Sequence, residues 1–420
     1  MEMRVVSEEI EKLRDEMVNV LMELVKIPAI SPDSGGEGEY DKAMKLLELI
    51  KGWPFDKVER YDAPDPRAKN GVRPNILAYY YGEQGEKSPR LWILTHLDVV
   101  PPGDLSKWTV TKPFEPLVKD GKVYGRGSED NGQSLVASLY AVRALMNLGM
   151  RPKRTIILAF VSDEETGSKY GLEWLMKEHP EVFRKDDLVL VPDGGNEEGT
   201  FIEIAEKSIL WMKIKVKGKQ VHASMPGLGL NAHRVAIDYA KELDEFLHEK
   251  YNARDELFDP PESTFEPTMG GNPSDAPNIA PGEHEVVFDC RVLPQYNLDN
   301  ILNDAQELAE EIKEKYRKEV NGKVLPEVRV EVLQRLDAPA PTPKDSEIVK
   351  LLQKAIKEFR GKDVKIGGIG GGTFAAYFRK LGIPAVVWAT LDEMAHQPNE
   401  YTKIENMVED AKIMAALALL

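Results

Sequence analysis

The chain has 420 residues, of which 42% are hydrophobic and 30% charged, and its formal net charge is −16. This length exceeds one ordinary hydrophobic core, so we expect at least two domains in a globular rather than a disordered protein. The negative charge argues against nucleic acid or an acidic membrane surface as a partner. Its simplest role is to keep the protein soluble.

A single cysteine, Cys290, leaves no intrachain disulfide and no zinc site built from thiolates. A reducing, cytoplasmic location fits this cysteine count. Residues 1–27 are charged throughout, which indicates an amphipathic helix rather than a signal peptide. Because no apolar run approaches the roughly 18 residues of a membrane span, we expect no membrane anchor.

Short apolar runs alternate with helical patterns in the first half of the chain. The predicted strands are 75–81, 91–97, 155–161 and 188–192, and the predicted helices are 134–149 and 171–179. Strands that are apolar along their whole length and lie between helices indicate a mostly parallel sheet with both faces buried. The predicted fold class is therefore α/β.

The middle of the chain has a different pattern, because residues 209–218 alternate apolar and polar side chains as a half-exposed antiparallel strand does. The elements predicted after it are helix 231–250, a strand near 264–270, strand 284–294, helix 298–318 and strand 327–336. This order of strands and helices predicts a ferredoxin-like α+β domain.

The α/β pattern returns after a proline-rich connector at 337–346. The elements predicted there are helix 346–359, a glycine-rich loop at 367–372, helix 373–381 and strand 384–390. We therefore predict one domain formed by residues 1–206 and 337–420, with a second domain of residues 207–336 inserted into it.

Acidic residues and a histidine follow the predicted strands of the first half or precede its long helix. They are His96, Asp98, Asp130, Asp163, Glu164, Glu165 and Asp193. Open α/β sheets bind ligands at the carboxyl ends of their strands, and a cation allows clustered carboxylates to ionise together. Imidazole and carboxylates without thiolate suit zinc, manganese or cobalt better than calcium. The sequence therefore predicts a metal site at this edge of the sheet.

Asp98 lies two residues after His96, so the two side chains point the same way in an extended strand. We expect Asp98 to accept a hydrogen bond from the imidazole nitrogen of His96 that does not bind metal. His396 follows the last predicted strand, and its position alone leaves a metal-ligating and a structural role both open.

The run Asp163, Glu164 and Glu165 places like charges next to one another at the end of a buried strand. In an extended segment, Glu165 and Asp163 would point one way and Glu164 the other, unless the strand has already ended. No catalytic role is apparent for Asp163, which we expect to make a capping or solvent-facing contact.

Eight motifs, in this order, resemble those of one enzyme family. They are THLDVVPPGD, YGRGSEDNG, SDEETGS, PDGG, VHASMPGLGLNA, NIAPGEHEVVFDCR, GGGT and AHQPNE. On these motifs the chain is identified as a member of the di-zinc aminoacylase and exopeptidase family, which includes succinyl-diaminopimelate desuccinylase, acetylornithine deacetylase, aminoacylase and carnosine-type dipeptidases. The resemblance covers nearly the whole chain and implies a zinc-exopeptidase-like catalytic domain with an inserted lid and dimerisation domain.

The resemblance implies two divalent metal ions per subunit, with zinc preferred and cobalt or manganese as alternatives. The implied ligands are His96, Asp130, Glu165, Asp193 and His396. Asp130 would bridge the two ions, His96 and Asp193 would complete one coordination sphere, and the remaining pair would complete the other.

The family's chemistry implies a role for Glu164 as the general base in the attack of a metal-bridging hydroxide, with the proton passed on to the leaving amine. Asp98 would support His96. The resemblance also implies a cis peptide bond between Asp130 and Asn131.

In the inserted domain, the resemblance implies that His222 reaches the active site of the partner subunit in a homodimer and stabilises the oxyanion there. The implied contacts to the substrate's carboxylate are Asn278, Arg291 and the loop Gly370, Gly371, Gly372 and Thr373. Arginine suits this role because its planar guanidinium can bind a carboxylate through two hydrogen bonds. Without the resemblance, we would interpret Arg291 as one half of a surface ion pair.

These roles imply a metal-dependent amidohydrolase that cleaves a peptide or N-acyl amide bond beside a free carboxylate. Its partner would be a small peptide or an N-acyl amino acid. Four residues depart from the pattern of many relatives and leave the substrate open: Asn131, Gln133, Phe374 and Trp388. The alternatives are a deacylase of the succinyl-diaminopimelate desuccinylase or acetylornithine deacetylase type, and a non-catalytic binder of peptides or amino acids.

Overall fold

The structure, a computed structural model, describes residues 2–271, 274 and 276–420. Their backbones pack as two compact units. We call residues 2–204, 342–366 and 374–420 the α/β unit, and residues 205–341 with 367–373 the inserted unit. The inserted unit thus takes in residues 367–373, which the sequence interpretation placed with the α/β domain.

Two of the described α-helices begin at a capping side chain, since Asn231 and Asn297 accept N–H groups of the first turn that follows them. The helices are α1 (Glu2–Lys12), α2 (Arg14–Val25), α3 (Tyr40–Leu49), α4 (Ser134–Asn147), α5 (Leu172–Glu178), α6 (Ala232–Lys250), α7 (Leu298–Lys315), α8 (Glu347–Arg360), α9 (Ala375–Lys380) and α10 (Ile404–Leu419). In the part of the chain that the structure describes, no helix has both the length and the apolar character needed to cross a membrane.

The strands belong to one large sheet in the α/β unit, one smaller sheet in the inserted unit, and short ladders. They are β1 (Lys57–Pro64), β2 (Val72–Tyr80), β3 (Arg90–His96), β4 (Leu117–Lys119), β5 (Lys122–Tyr124), β6 (Thr155–Val161), β7 (Leu188–Val191), β8 (Phe201–Glu206), β9 (Ser208–Lys217), β10 (Val221–His222), β11 (Thr264–Gly271), β12 (Ile279–Ala280), β13 (Glu283–Val292), β14 (Lys318–Val320), β15 (Lys323–Leu325), β16 (Glu327–Leu336), β17 (Lys365–Ile369), β18 (Ala385–Val387) and β19 (Tyr401–Lys403).

The large sheet has the strand order β1-β2-β6-β3-β7-β18-β8-β17. Its centre is parallel, since β3 pairs in parallel with β6 and β7, and β7 with β18. β1 and β2 extend it in antiparallel pairing. Every residue of β3 and β6 is buried, which is why these strands are apolar along nearly their whole length. The prediction of a mostly parallel α/β sheet is confirmed.

Residues 367–372 were predicted as a glycine-rich loop. The prediction was wrong for residues 367–369, which belong to strand β17. Gly368 donates a backbone hydrogen bond to the Leu257 carbonyl at 2.7 Å, and a Cβ atom at Gly368 would come within 2.3 Å of the Phe258 ring. Glycine at this position in the strand therefore permits the segment that carries Phe258 to come close. In the sequence alone, such a glycine is easily taken for a loop residue.

The sheet of the inserted unit is antiparallel, with the order β11-β13-β9-β16. The apolar residues of one face of β9 and β13 pack with those of α6 and α7 into one core, whose largest fully buried members are Tyr239, Phe265 and Phe288. The chain order β-α-β-β-α-β and this strand order are those of a ferredoxin-like fold, as predicted.

Cys290 lies in β13 within this core and is fully buried. Burial raises the pKa of its thiol to about 12, so the thiol stays protonated at pH 8, where an unfolded cysteine is partly ionised. We therefore expect a thiol reagent such as iodoacetamide to label the folded chain at pH 8 far more slowly than the chain in urea. Mass spectrometry would measure the difference, and equal labelling rates in the two states would contradict the buried position.

Candidate metal centre

β3, β6 and β7 are neighbours that run in parallel, so their carboxyl ends lie at one edge of the sheet. His96 is the last residue of β3. The segments that follow the three strands carry the acids Asp98, Glu164, Glu165 and Asp193. The sequence predicted that these side chains lie together at this edge.

Asp130 lies between two histidines. Its Oδ1 atom is 3.0 Å from His96 Nε2, and its Oδ2 atom is 3.0 Å from His396 Nε2. The peptide bond between Asp130 and Asn131 is cis, as the family resemblance implied. Each carboxylate oxygen thus faces a different imidazole, which is the arrangement that a carboxylate bridging two cations requires.

Two more carboxylates lie beside His96. Its Nε2 atom is 3.6 Å from Glu164 Oε2 and 3.6 Å from Asp193 Oδ2. One potential ligand atom from each of these three residues lies within 4.8 Å of the others. His96 is 1% exposed, whereas the side chains of Glu164 and Asp193 are partly exposed.

His396 forms the second side of the cluster. Its Nε2 atom is 3.1 Å from Glu165 Oε2, and Glu165, Asp130 and His96 also offer ligand atoms within 4.8 Å of one another. The side chain of His396 is half-exposed, so this imidazole is open to solvent where that of His96 is buried. The sequence left a metal-ligating and a structural role open for His396, and these contacts favour the metal-ligating role.

Burial and like charge act together on these carboxyl groups. Burial raises the pKa of Glu164 well above its usual range, and the charge of Asp193 raises it further. Burial likewise raises the pKa of Asp193 to about 6 and that of Glu165 to about 8. Hydrogen bonds to Asp130 and Glu165 raise the pKa of His396 to about 10. Carboxylates so placed ionise together only beside compensating positive charge, which a divalent cation supplies.

The donor atoms fit such a cation. Two imidazole nitrogens and four carboxyl groups converge without a thiolate, which is a ligand set of zinc, manganese or cobalt. His96 Nδ1 lies 2.9 Å from the Asp98 backbone oxygen. A proton held at Nδ1 by that oxygen leaves Nε2 with a lone pair that faces the carboxylates.

The side chain of Asp98 contacts His96, as predicted, and also two backbone N–H groups that the sequence did not predict as partners. Its Oδ1 atom lies 3.3 Å from His96 Nδ1, farther than the backbone oxygen. The carboxylate also accepts the backbone N–H groups of Glu164 at 3.1 Å and Glu165 at 2.9 Å. Asp98 therefore ties the strand that carries the histidine to the turn that carries both glutamates.

Asn131, which departs from the pattern of many relatives, connects the same elements. Its Oδ1 atom accepts the backbone N–H of His96 at 3.1 Å. Its Nδ2 atom donates to the Pro192 carbonyl at 3.0 Å and to Asp193 Oδ1 at 3.3 Å. The asparagine amide offers both a donor and an acceptor, which the lysine or the ionised aspartate common in relatives at this position would not.

Glu400 is a buried support that the sequence interpretation did not identify, although it ends the AHQPNE motif. Its Oε2 atom accepts the backbone N–H groups of Asp130 at 3.0 Å and Glu129 at 2.9 Å, and Arg126 pairs with its Oε1 atom at 2.9 Å. The only hint in the sequence was that Glu400 is an acidic residue in the same motif as His396, and His396 alone was interpreted as functional.

Asp163 is fully buried, so the solvent-facing alternative was wrong. Its side chain also accepts no N–H group of the described short helical turn at 164–166, as a capping contact would. Its carboxylate accepts from the Thr166 hydroxyl, from the Tyr170 N–H at 3.0 Å and from Arg73 Nη2 at 3.1 Å. β6 has ended before Asp163, and a tight turn follows, so the strand alternation does not apply and Glu164 and Glu165 both reach the cluster.

His222 and Asn278 are exposed neighbours in the inserted unit. β10 pairs with β12, and the Ala223 N–H donates to the Asn278 carbonyl at 2.7 Å. His222 Nδ1 accepts hydrogen bonds from Ser224, whose hydroxyl oxygen is 2.7 Å away. The family resemblance implied an oxyanion-stabilising role for His222 and a contact to the substrate's carboxylate for Asn278, and the ladder makes the two residues neighbours.

Arg291 and the GGGT loop also come together in the inserted unit. Arg291 Nη1 donates to the Gly370 carbonyl at 3.0 Å, while its Nε and Nη2 atoms bond the two oxygens of Asp289. Thr373 donates its backbone N–H and its hydroxyl to Glu206 Oε1. The ion pair that the sequence alone favoured for Arg291 is present, and it holds the guanidinium against the loop.

Replacing Asp98 by Asn should weaken metal binding, because the amide has one acceptor oxygen where the carboxylate serves His96 and both glutamate N–H groups. Partners of this kind contribute about 10–100-fold to metal affinity. Titration of zinc against a competing chelator would measure the loss. Asp187→Asn is the matched control, since Asp187 is buried with Arg90 and Trp92 and touches none of the cluster. Equal affinities in the two variants would contradict the role of Asp98.

The chain is similar to known metallohydrolases and peptidases. The sequence profile of peptidase family M20/M25/M40 matches residues 92–420. An uncharacterised metallohydrolase of Methanocaldococcus jannaschii is 42% identical over 410 residues, which cover 96% of this chain and 98% of the relative. A succinyl-diaminopimelate desuccinylase of Nitratiruptor is 27% identical over 395 residues, with coverage of 93% and 96%.

Solved structures agree on the fold. The dipeptidase Dug1p of Saccharomyces cerevisiae superimposes with a TM-score of 0.74 at 17% identity, over 99% of this chain and 98% of that one. The matched family profile spans most of the chain, including the segments that carry His96, Asp130 and His396. The chain therefore belongs to peptidase family M20/M25/M40 and is a metal-dependent hydrolase of C–N amide bonds.

Proposed function

We propose that this enzyme cleaves the peptide or N-acyl amide bond next to a free carboxylate, in dipeptides or N-acyl amino acids. The observation that carries the proposal is the position of Asp130, with one carboxylate oxygen on each histidine and Glu164 beside the buried one. The fold shared with a dipeptidase and the sequence similarity to a desuccinylase both support a small substrate of this kind.

The residues that would hold two divalent ions, zinc in preference to cobalt or manganese, are His96, Asp130, Glu165, Asp193 and His396. Bound ions would polarise the scissile carbonyl and lower the pKa of a water molecule at the site. The support for two ions rather than one is that Asp130 presents its two oxygens to different imidazoles.

Glu164 would move the proton. It lies 3.6 Å from His96 Nε2, and its backbone is fixed by Asp98, so its carboxylate stays at the edge of the cluster. In this position it would accept a proton from the attacking water and deliver it to the leaving nitrogen. A neutral amine leaves far more readily than an amide anion, which is why the second transfer matters.

The inserted unit would supply the substrate contacts. The guanidinium of Arg291 has five N–H donors, and three are used on Asp289 and Gly370 among the described residues, which leaves two for a carboxylate. The N–H groups of Gly371 and Gly372 would add to them, with Thr373 anchoring the loop through Glu206. Asn278 would contact the same part of the substrate.

His222 would complete the site of a second subunit, in a homodimer formed through the inserted unit. The support is its exposed position beside Asn278 and the family resemblance. A single cysteine fits a reducing compartment, and we propose the cytoplasm as the location.

A desuccinylase activity is the second candidate, favoured by the 27% identity to the Nitratiruptor enzyme. A hydrolysis screen of dipeptides, N-acetyl amino acids and N-succinyl-diaminopimelate with zinc, cobalt and manganese would separate the two. We expect faster turnover of dipeptides or acetylated amino acids. Preferential turnover of the succinylated substrate would establish the second candidate instead.

Glu164→Gln should lower kcat by about 10²–10⁴-fold, because the amide cannot accept and return a proton. The metal content should stay at two ions per chain, since the ligands named above remain. Stopped assays and elemental analysis of the same sample would measure both quantities.

The control is Glu173→Gln, which removes the same charge from an exposed residue of α5 and should leave kcat unchanged. Retention of full turnover by Glu164→Gln would contradict the proposed mechanism.

A further inference from the structure

Arg73 lies in β2 and forms the centre of a buried charge cluster. Its guanidinium binds both oxygens of Glu39 at 2.7 Å, and it lies 3.2 Å from Asp65 Oδ2 and 3.1 Å from Asp163 Oδ1. The guanidinium and the carboxyl groups of Glu39 and Asp163 have no exposed surface. We call Arg73, Glu39, Asp65 and Asp163 the Arg73 cluster.

Such a cluster is a poor way to stabilise a fold. Removing several charges from water costs more than their attraction returns in many proteins, and apolar replacements of similar volume are often as stable or more so. Asp65 forms a second ion pair, with Arg67, which approaches it at 3.0 Å from the exposed side. The cluster therefore calls for a role that apolar packing would not provide.

Asp163 connects the cluster to the metal centre. Its φ of 66° is in the left-handed region, which asparagine and aspartate tolerate better than most residues and which turns the chain sharply after β6. The side chain holds this turn by accepting the Thr166 hydroxyl and the Tyr170 N–H, and Arg73 binds the same carboxylate. The next two residues are Glu164 and Glu165.

Those two glutamates are held from the other side by Asp98, which accepts both of their N–H groups. Three consecutive residues are thus fixed by hydrogen bonds to two separate anchors, Asp98 and Arg73. The direction of the Glu164 side chain therefore depends on both anchors. This direction matters because a shift of about 1 Å in a reacting group can lower the rate about 10²-fold.

We propose that Arg73 and Asp163 are positioning residues for Glu164. The cluster keeps the turn after β6 in the conformation that directs the Glu164 carboxylate to the metal centre, and neither residue touches substrate. This inference rests on the proposed role of Glu164 as the proton carrier. Glu39, in the segment before α3, belongs to the same device because it fixes the guanidinium with two short bonds.

The chain offers a matched comparison for a purely structural role. Arg90 is the first residue of β3, at the opposite end of that strand from His96, and it forms a buried two-bond pair with Asp187 at 2.8 and 2.6 Å. Arg90→Lys and Arg73→Lys each keep a positive charge and lose the planar fork. A structural role predicts the same consequences for both variants.

We expect Arg73→Lys and Asp163→Asn to lower kcat by about 10–100-fold, with KM changed less than threefold and two ions retained. Asp163→Asn preserves the size and the left-handed turn, so it tests the charge on a folded chain even where Arg73→Lys loses stability. Arg90→Lys should lower the melting temperature and leave kcat unchanged. Equal kcat losses in the Arg73 and Arg90 variants, or a kcat at the native level in Asp163→Asn, would overturn the proposal.

A double-mutant comparison tests the link to Glu164 directly. If Asp163 acts through Glu164, then adding Asp163→Asn to Glu164→Gln should cause no further loss of kcat, because the group being positioned is already inactive. Independent, multiplying losses would overturn the positioning role. Full turnover in Glu164→Gln alone would refute the proposed function, whereas a slow Glu164→Gln with a native Asp163→Asn would refute only the positioning of Glu164.

Discussion

The repulsion between carboxylates at one edge of the sheet is the constraint on which the rest of the structure depends. Asp130, Glu164, Glu165 and Asp193 converge on two histidines, and burial raises the pKa of three of these acids. A sheet can bring such groups together because parallel strands deliver their carboxyl ends to one line. The remaining parts of the site hold these side chains where their charges alone would drive them apart.

The holding groups form a second layer of buried polar residues. Asp98 fixes the two glutamates by their backbone, Asn131 links the segments of His96 and Asp193, and Glu400 accepts the N–H of Asp130. The Arg73 cluster adds a third layer behind the glutamate turn. Asp98 and Glu400 act through backbone N–H groups, which fixes the course of the chain and leaves the acidic side chains free to face the cluster.

The sequence predicted the parts that follow from periodicity and strand ends. His96, Asp98 and Asp193 could be placed because buried parallel strands precede them. Asp130 precedes the long helix and was expected at the same site, whereas the position of His396 left its role open. Only the family resemblance implied that Asp130 bridges two ions and that His396 binds one, and the contacts between Asp130 and both histidines agree with it.

Other parts could not be predicted because they depend on packing between distant segments. Gly368 resembles a loop residue, yet it lies in a strand where Phe258 leaves no room for a side chain. Asp163 resembles its two acidic neighbours, and its partner Arg73 is 90 residues away. A charged residue that pairs in the interior carries no local signal of its partner.

The central claim is that the carboxylate of Asp130 lies between two metal ions. Anomalous diffraction at the zinc absorption edge, from crystals grown with zinc, tests it most directly. If Asp130 bridges two ions, we expect two peaks per chain, one on the His96 side of Asp130 and the other on the His396 side. A single peak, or peaks away from Asp130, would contradict it.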